Sequence, residues 1–185
     1  MQIENMKRLF LLSFLILIFS PVFSQSVAQL NLEAVPDFFQ TPVDGNIIQS
    51  TGVAVNSAGH IFVFNKGNRQ LIEFDADGQY VRSLGHGLFK DPHGLRIDGQ
   101  DNIWTTDLET HLVIKMNPEG RVLMVLGENG VSGLYNEARD MIRFFKPADV
   151  AFGRNGDIYV ADGYGNHRVV RLDREGKLIK SWGEE

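Results

Sequence analysis

One unit is written three times along this chain of 185 residues. Gly52-Val-Ala-Val55 followed by His60-Ile-Phe-Val-Phe-Asn65 returns as Gly94-Leu-Arg-Ile97 followed by Asn102-Ile-Trp-Thr-Thr-Asp107. It returns again as Asp149-Val-Ala-Phe152 followed by Asp157-Ile-Tyr-Val-Ala-Asp162. Each copy runs on through two more short apolar segments and closes on Leu84-Gly85, Leu126-Gly127 or Trp182-Gly183. Within a copy, short β-branched and aromatic runs alternate with Gly, Asn and Asp punctuation such as Asp75-Ala-Asp-Gly78, Asn117-Pro-Glu-Gly120 and Asp173-Arg-Glu-Gly176. That pattern predicts four short antiparallel strands per copy. Self-similarity at a period of about 40 residues predicts stacked blades. A single four-stranded blade cannot bury both of its faces, so blades pack around a common axis. The expected fold is therefore all-β, a β-propeller, with blades over about 52–85, 94–127 and 149–183, and a stray outer strand within Gln40–Ile48. Propellers close with about four to eight blades. Three copies are part of a ring, so the expectation is a truncated chain or one that pairs with a complementary half-propeller.

The N-terminus follows a different logic. Lys7-Arg8 precede the apolar run Leu9–Phe19, and small residues follow near Ser24. A basic start, a short apolar core and small residues at a cleavage point describe a secretory signal peptide over 1–24. The run is short for a bilayer, which needs about 20 apolar residues, so no stable membrane anchor is expected. The expected organisation is a signal peptide (1–24), a lead-in (25–48) and a partial propeller (49–185), in a secreted or periplasmic protein. The chain has no cysteine, which excludes disulfides and thiolate metal sites. Its formal charge is −5, and removing residues 1–24 takes away Glu4, Lys7 and Arg8, leaving the remainder one unit more acidic. An acidic exported domain without a basic face does not point to nucleic acid. Between the second and third copies, Glu128–Phe144 interrupts the repeat with a polar, charged stretch carrying Gly130, Gly133 and Arg139. Long loops of this kind often carry function, but the polar, charged composition here reads first as a solvated connection.

Two side chains stand out as candidates for chemistry. His93, in Asp91-Pro-His-Gly-Leu95, precedes the innermost strand of the second blade. It reads either as a neutral imidazole metal ligand at the mouth of the central channel or as a histidine hydrogen-bonded at a blade edge. Tyr164, in Asp162-Gly-Tyr-Gly-Asn-His-Arg168, lies on a turn one residue longer than its counterparts. It reads either as an acid–base phenol, which needs a nearby cation, or as an aromatic packed on the next blade. Asn65, Asp107 and Asp162 hold equivalent positions and read as turn formers. Arg168, His111 and His167 are expected on blade surfaces, and His60 and His86 read as incidental.

Taken in order and spacing, several segments resemble the peptidyl-α-hydroxyglycine α-amidating lyases, enzymes built on NHL-type repeats. They are Pro92-His-Gly-Leu-Arg-Ile-Asp98, Asn102-Ile-Trp-Thr-Thr-Asp107, Phe145-Lys-Pro-Ala-Asp-Val-Ala151, Ile158-Tyr-Val-Ala-Asp-Gly-Tyr-Gly-Asn-His-Arg168 and Trp182-Gly-Glu-Glu185. The resemblance runs from about Gly52 to Glu185. It implies a six-bladed propeller with zinc in the channel and a structural calcium nearby. The implied reaction cleaves a peptidyl-α-hydroxyglycine, or another small N-substituted hydroxyglycine, to an amide and glyoxylate. It implies that His93 is one of three histidine zinc ligands and that Tyr164 is the catalytic phenol. It also implies that the backbone carbonyls of Val53 and Leu95 ligate calcium, a hard cation that prefers oxygen.

The sequence departs from that family in two ways. Where the family carries an arginine that positions substrate, this chain has Lys66, which keeps the charge but loses the bidentate fork. The remaining zinc histidines of the family have no counterpart among these residues. The alternative is a non-catalytic NHL-type propeller that binds a peptide, glycan or protein partner across its face.

Overall fold

A computed structural model describes residues 30–183. The expected signal peptide lies outside the described residues. The chain divides into two units. Of the first, residues 1–35, only residues 30–35 are described, and these carry no regular structure. The second, residues 36–185, holds every described strand.

The repeat folds as the sequence pattern predicts, into three four-stranded antiparallel sheets whose strands pair in chain order. The first blade is β1 (Ser50–Val55), β2 (Ile61–Asn65), β3 (Leu71–Phe74) and β4 (Tyr80–Leu84). The second is β5 (Pro92–Ile97), β6 (Ile103–Asp107), β7 (Leu112–Met116) and β8 (Val122–Leu126). A two-stranded ribbon, β9 (Tyr135–Asn136) with β10 (Met141–Ile142), intervenes. The third blade is β11 (Asp149–Phe152), β12 (Ile158–Asp162), β13 (Arg168–Leu172) and β14 (Leu178–Gly183). The chain is all-β, built of NHL-type propeller blades. No strand forms over Gln40–Ile48. Instead, Gln40 makes an isolated parallel bridge with Gln79, because Pro42 and the turn at Gly45 interrupt the ladder.

The hairpin turns recur because one side chain caps each of them. In the β3–β4 turn, Asp75 accepts the backbone N–H groups of Asp77 (3.0 Å) and Gln79 (2.8 Å). Asn56, Asp98 and Asp173 do the same in their own turns. Glycine supplies the left-handed residue of most of these turns, but Asp101 takes that place between β5 and β6 at φ 60°. Asp tolerates the strain, and here its carboxylate accepts the N–H and the hydroxyl of Ser57 on the first blade. The capping carboxylates thus join blades as well as strands.

Strand alternation sends two sets of side chains into two cores. Phe62, Phe64, Leu71, Leu84, Phe89, Leu95, Ile103 and Ile114 fill the seam between blades one and two. Trp104, Val113, Leu126, Phe144, Val150, Ile158, Val160 and Leu172 fill the seam between blades two and three. The middle blade is therefore covered on both faces, and every residue of β6 is buried. At the first seam the inner strands approach closely: a Cβ on Gly52 would stand 2.7 Å from that of Leu95.

The connection Glu128–Phe144 is more ordered than its polar composition suggests. It carries the β9–β10 ribbon, and Ile142 and Phe144 enter the second core. Its charges are spent internally, with Glu128 accepting from Arg143 at 2.7 Å and Arg139 at 2.8 Å. Hydrogen bonding from Arg143 holds the Glu128 carboxyl below its ordinary value against partial burial.

Candidate active site between the second and third blades

His93 reaches its position through a β-bulge. Pro92 pairs with Asp107 and Leu95 with Thr105, so His93 and Gly94 together oppose Thr106. A bulge of this kind re-aims a side chain out of the regular pleat. The stretch preceding it is held by Asp107, which is buried and accepts the N–H groups of Lys90 and Asp91, both at 2.8 Å. Its other oxygen accepts the N–H and hydroxyl of Thr110 at 2.8 and 2.9 Å. Asp107 thus fixes the entry to β5 relative to the β6–β7 turn.

The imidazole of His93 spans the seam. Nδ1 lies 2.8 Å from the carbonyl oxygen of Ala148. A carbonyl only accepts, so Nδ1 carries the proton and Nε2 of the neutral ring carries the lone pair. Nε2 lies 3.1 Å from the hydroxyl of Tyr164, whose ring stands edge-on to the imidazole at 5.3 Å between centroids.

Tyr164 sits in the loop 163–167, one residue longer than the equivalent segments 66–69 and 108–111. Asp162 anchors that loop. It is fully buried, accepts the Phe145 N–H at 2.8 Å through one oxygen, and accepts Asn166 at 2.7 Å and Arg168 at 2.9 Å through the other. Gly165 is dictated by packing, since a Cβ there would meet the Phe145 ring at 2.2 Å. The Tyr164 side chain itself is 58% exposed, open to a ligand.

Arg168 corrects the sequence expectation. It is buried rather than on a blade surface, because its charge is met by Asp162 and its Nη2 donates to the carbonyls of Leu134 (3.1 Å) and Arg143 (2.8 Å). Asn166 adds a bond to the Gly133 carbonyl at 2.8 Å. The β8–β11 connection is therefore docked on the Tyr164 loop. Sequence reading missed this, although an arginine directly after an Asp-x-x-x-Asn-x pattern was the available signal.

Lys66 does not join His93 and Tyr164. Its ammonium pairs with Asp91 at 2.6 Å, across the first seam. Asn65, the counterpart of Asp107 and Asp162, accepts the Gly67 N–H at 2.7 Å and so shapes the Lys66 turn. Val53 and Leu95 hold the same register position in β1 and β5, facing Val63 and Thr105. Among the described residues, no three His, Asp or Glu side chains gather closely enough to hold one metal ion. His93, with Nδ1 held by the Ala148 carbonyl and the Nε2 lone pair turned toward Tyr164, suits a single zinc ligand.

The NHL repeat family matches residues 144–172, which include β11–β13 of the third blade. A Caenorhabditis elegans protein named "Probable peptidyl-alpha-hydroxyglycine alpha-amidating lyase" is 34% identical over 71% of this chain and 43% of its own length. Peptidyl-alpha-hydroxyglycine alpha-amidating lyase 1 of Drosophila melanogaster is 32% identical over 72% of this chain and 29% of its own. The chain thus spans less than half the length of these relatives. Among solved structures, a virginiamycin B lyase from Staphylococcus aureus aligns with TM-score 0.52 at 20% identity, over 73% of this chain and 41% of that one. A gluconolactonase from Xanthomonas campestris aligns with TM-score 0.55 at 15% identity, over 75% and 48%. At these identities the structural likeness speaks for the fold alone.

Proposed function

The chain is a relative of the peptidyl-α-hydroxyglycine α-amidating lyases, and from that premise we propose that it forms the His93–Tyr164 part of an exported, zinc-dependent lyase. The substrate class is a peptidyl-α-hydroxyglycine or a smaller N-substituted hydroxyglycine. One observation carries the reading: Nε2 of His93 and the hydroxyl of Tyr164, far apart in sequence, meet at 3.1 Å between two blades.

His93 is the residue on this chain that would hold the zinc, through Nε2, and any further ligands would come from outside the described residues. When bound, zinc supplies Lewis-acid polarisation of the substrate hydroxyl. Phenols titrate near pH 10 in water, so a phenol that serves as a base near neutrality needs an adjacent cation. Tyr164 takes the proton of the substrate hydroxyl. As the carbonyl of glyoxylate forms, the N–Cα bond breaks, and the proton passes to the departing amide nitrogen. Exposure of the phenol gives the substrate access, and the docked β8–β11 connection keeps the phenol from swinging away. Lys66, paired with Asp91, supports the substrate-side loops rather than the reacting atoms. The carbonyls of Val53 and Leu95 are the proposed calcium donors.

The test is glyoxylate release from a synthetic peptidyl-α-hydroxyglycine by the full-length protein. Release that disappears on chelation and returns with zinc is the expected result. A folded full-length protein that releases none overturns the proposal and leaves a binding propeller, with peptide or glycan as the ligand to test.

A further inference from the structure

We infer that Thr106 is a positioning residue whose buried hydroxyl anchors the Ala148 carbonyl and so holds the imidazole of His93 in one orientation. The inference rests on the role proposed for His93, but its geometry stands independently. Thr106 is fully buried in β6, opposite the bulge that carries His93 and Gly94. Its Oγ1 accepts the N–H of Gly94 at 2.8 Å and donates to the carbonyl of Ala148 at 2.9 Å. These two groups bracket His93: one belongs to the next residue, the other receives its Nδ1–H at 2.8 Å.

The direction of every bond in this network is forced. The Gly94 N–H can only donate, so it occupies a lone pair of Oγ1. The threonine proton then goes to Ala148, whose carbonyl can only accept. That carbonyl uses its second lone pair for the histidine. Ala148 is held on its other side by its N–H, which donates to the Ala161 carbonyl at 2.7 Å. The outcome is a ring with Nδ1 protonated and Nε2 presented to Tyr164. Removing the threonine hydroxyl strands the buried Gly94 N–H and frees the Ala148 carbonyl to turn from the histidine, at the usual cost of an unmade bond.

The repeat supplies an independent argument. Aligned on Asn65, Asp107 and Asp162, the residue before each is Phe64, Thr106 and Ala161. The first and third blades place an apolar side chain there, and Phe64 is part of the first core. The hydroxyl appears only in the blade that carries the histidine. Gly94 belongs to the same device, since a Cβ there would stand 2.6 Å from Thr106 Oγ1 and 2.7 Å from the Ala148 oxygen. The neighbouring threonine provides a control. Thr105 is equally buried, yet its hydroxyl has no hydrogen-bond partner among the described residues.

The experiment measures solvent exchange of the His93 Nδ1–H proton by ¹⁵N-edited NMR on the full-length protein, alongside affinity for zinc alone. In the wild type and in Thr106→Ser and Thr105→Val, that proton should be protected. In Thr106→Val it should exchange about tenfold faster or more, and zinc affinity should fall about tenfold or more, as for other partners that orient a metal-binding histidine. Thr106→Ala is the second variant, because the third blade already carries alanine at that position. Wild-type exchange of that proton in Thr106→Val or Thr106→Ala overturns the inference. If exchange rises in these variants while the wild type binds no zinc, the positioning role stands and the lyase reading fails.

Discussion

The two seams between blades start from one sequence unit and end with different chemistry. In the first, Gly52 lets β1 close against Leu95, and Phe64, Phe89 and Leu95 fill the space behind it. In the second, Gly94 lets β5 close against Ala148, but Thr106 stands where Phe64 stood, and the contact is a hydrogen-bonded relay to His93. The lower part of each seam remains apolar. The second seam differs by carrying a hydroxyl in place of one core side chain and a histidine at the bulge, and the proposed function rests on that difference. A repeat fold tolerates this because each blade is held by its neighbours, so a single seam can give up apolar contact.

That contrast can be broken in graded steps. Phe64→Ala should be the most costly, about 3–5 kcal/mol in denaturant unfolding, because it empties the first core. The His93–Tyr164 contact should survive it, and if that contact is lost as well the seams are not independent. Asp162→Asn should cost about 3 kcal/mol, since it leaves the buried Arg168 without its countercharge. The same variant should raise hydrogen exchange through residues 133–134 and 145, which a purely local defect would leave protected. Asp107→Asn should cost less, about 1.5–3 kcal/mol, because Asp107 accepts several N–H groups but pairs with no cation. It should also disturb the His93 resonances without touching those of Lys66. The smallest effect is pH-dependent. The folded Glu128 carboxyl is held low, chiefly by Arg143, so its contribution is complete above the unfolded value near 4.3 and is lost as pH falls through the lower folded value. Exchange in the β9–β10 ribbon should rise in that window, and Glu128→Gln should abolish the pH dependence.

Much of this was legible in the sequence, and the reasons are local. The three copies, their Gly-Asp-Asn turns and their alternating runs fix strands and blades, because hairpin chemistry and period-two burial act over a few residues. His93 and Tyr164 were legible as exceptions to the repeat. Their meeting was not, since it depends on how far β5 approaches Ala148 across the seam. Arg168 was misplaced for a related reason: arginine is usually exposed, and only the fold brings Asp162 and two backbone carbonyls around it. Thr106 was visible in the alignment of the copies, but its meaning required knowing that position to be a core site in the first blade. The ordered connection before β11 was hidden by a charged composition that its own ion pairs consume.

The central claim is that the second seam presents Tyr164 to a reacting hydroxyl beside His93. The most direct measurement is kcat for glyoxylate release by the full-length protein carrying Tyr164→Phe, with zinc content and unfolding midpoint checked to be those of the wild type. The account predicts a fall of about 100-fold or more, the scale of a lost acid–base group. A kcat within about twofold of the wild type, where general acid–base loss should be unmistakable, would contradict it.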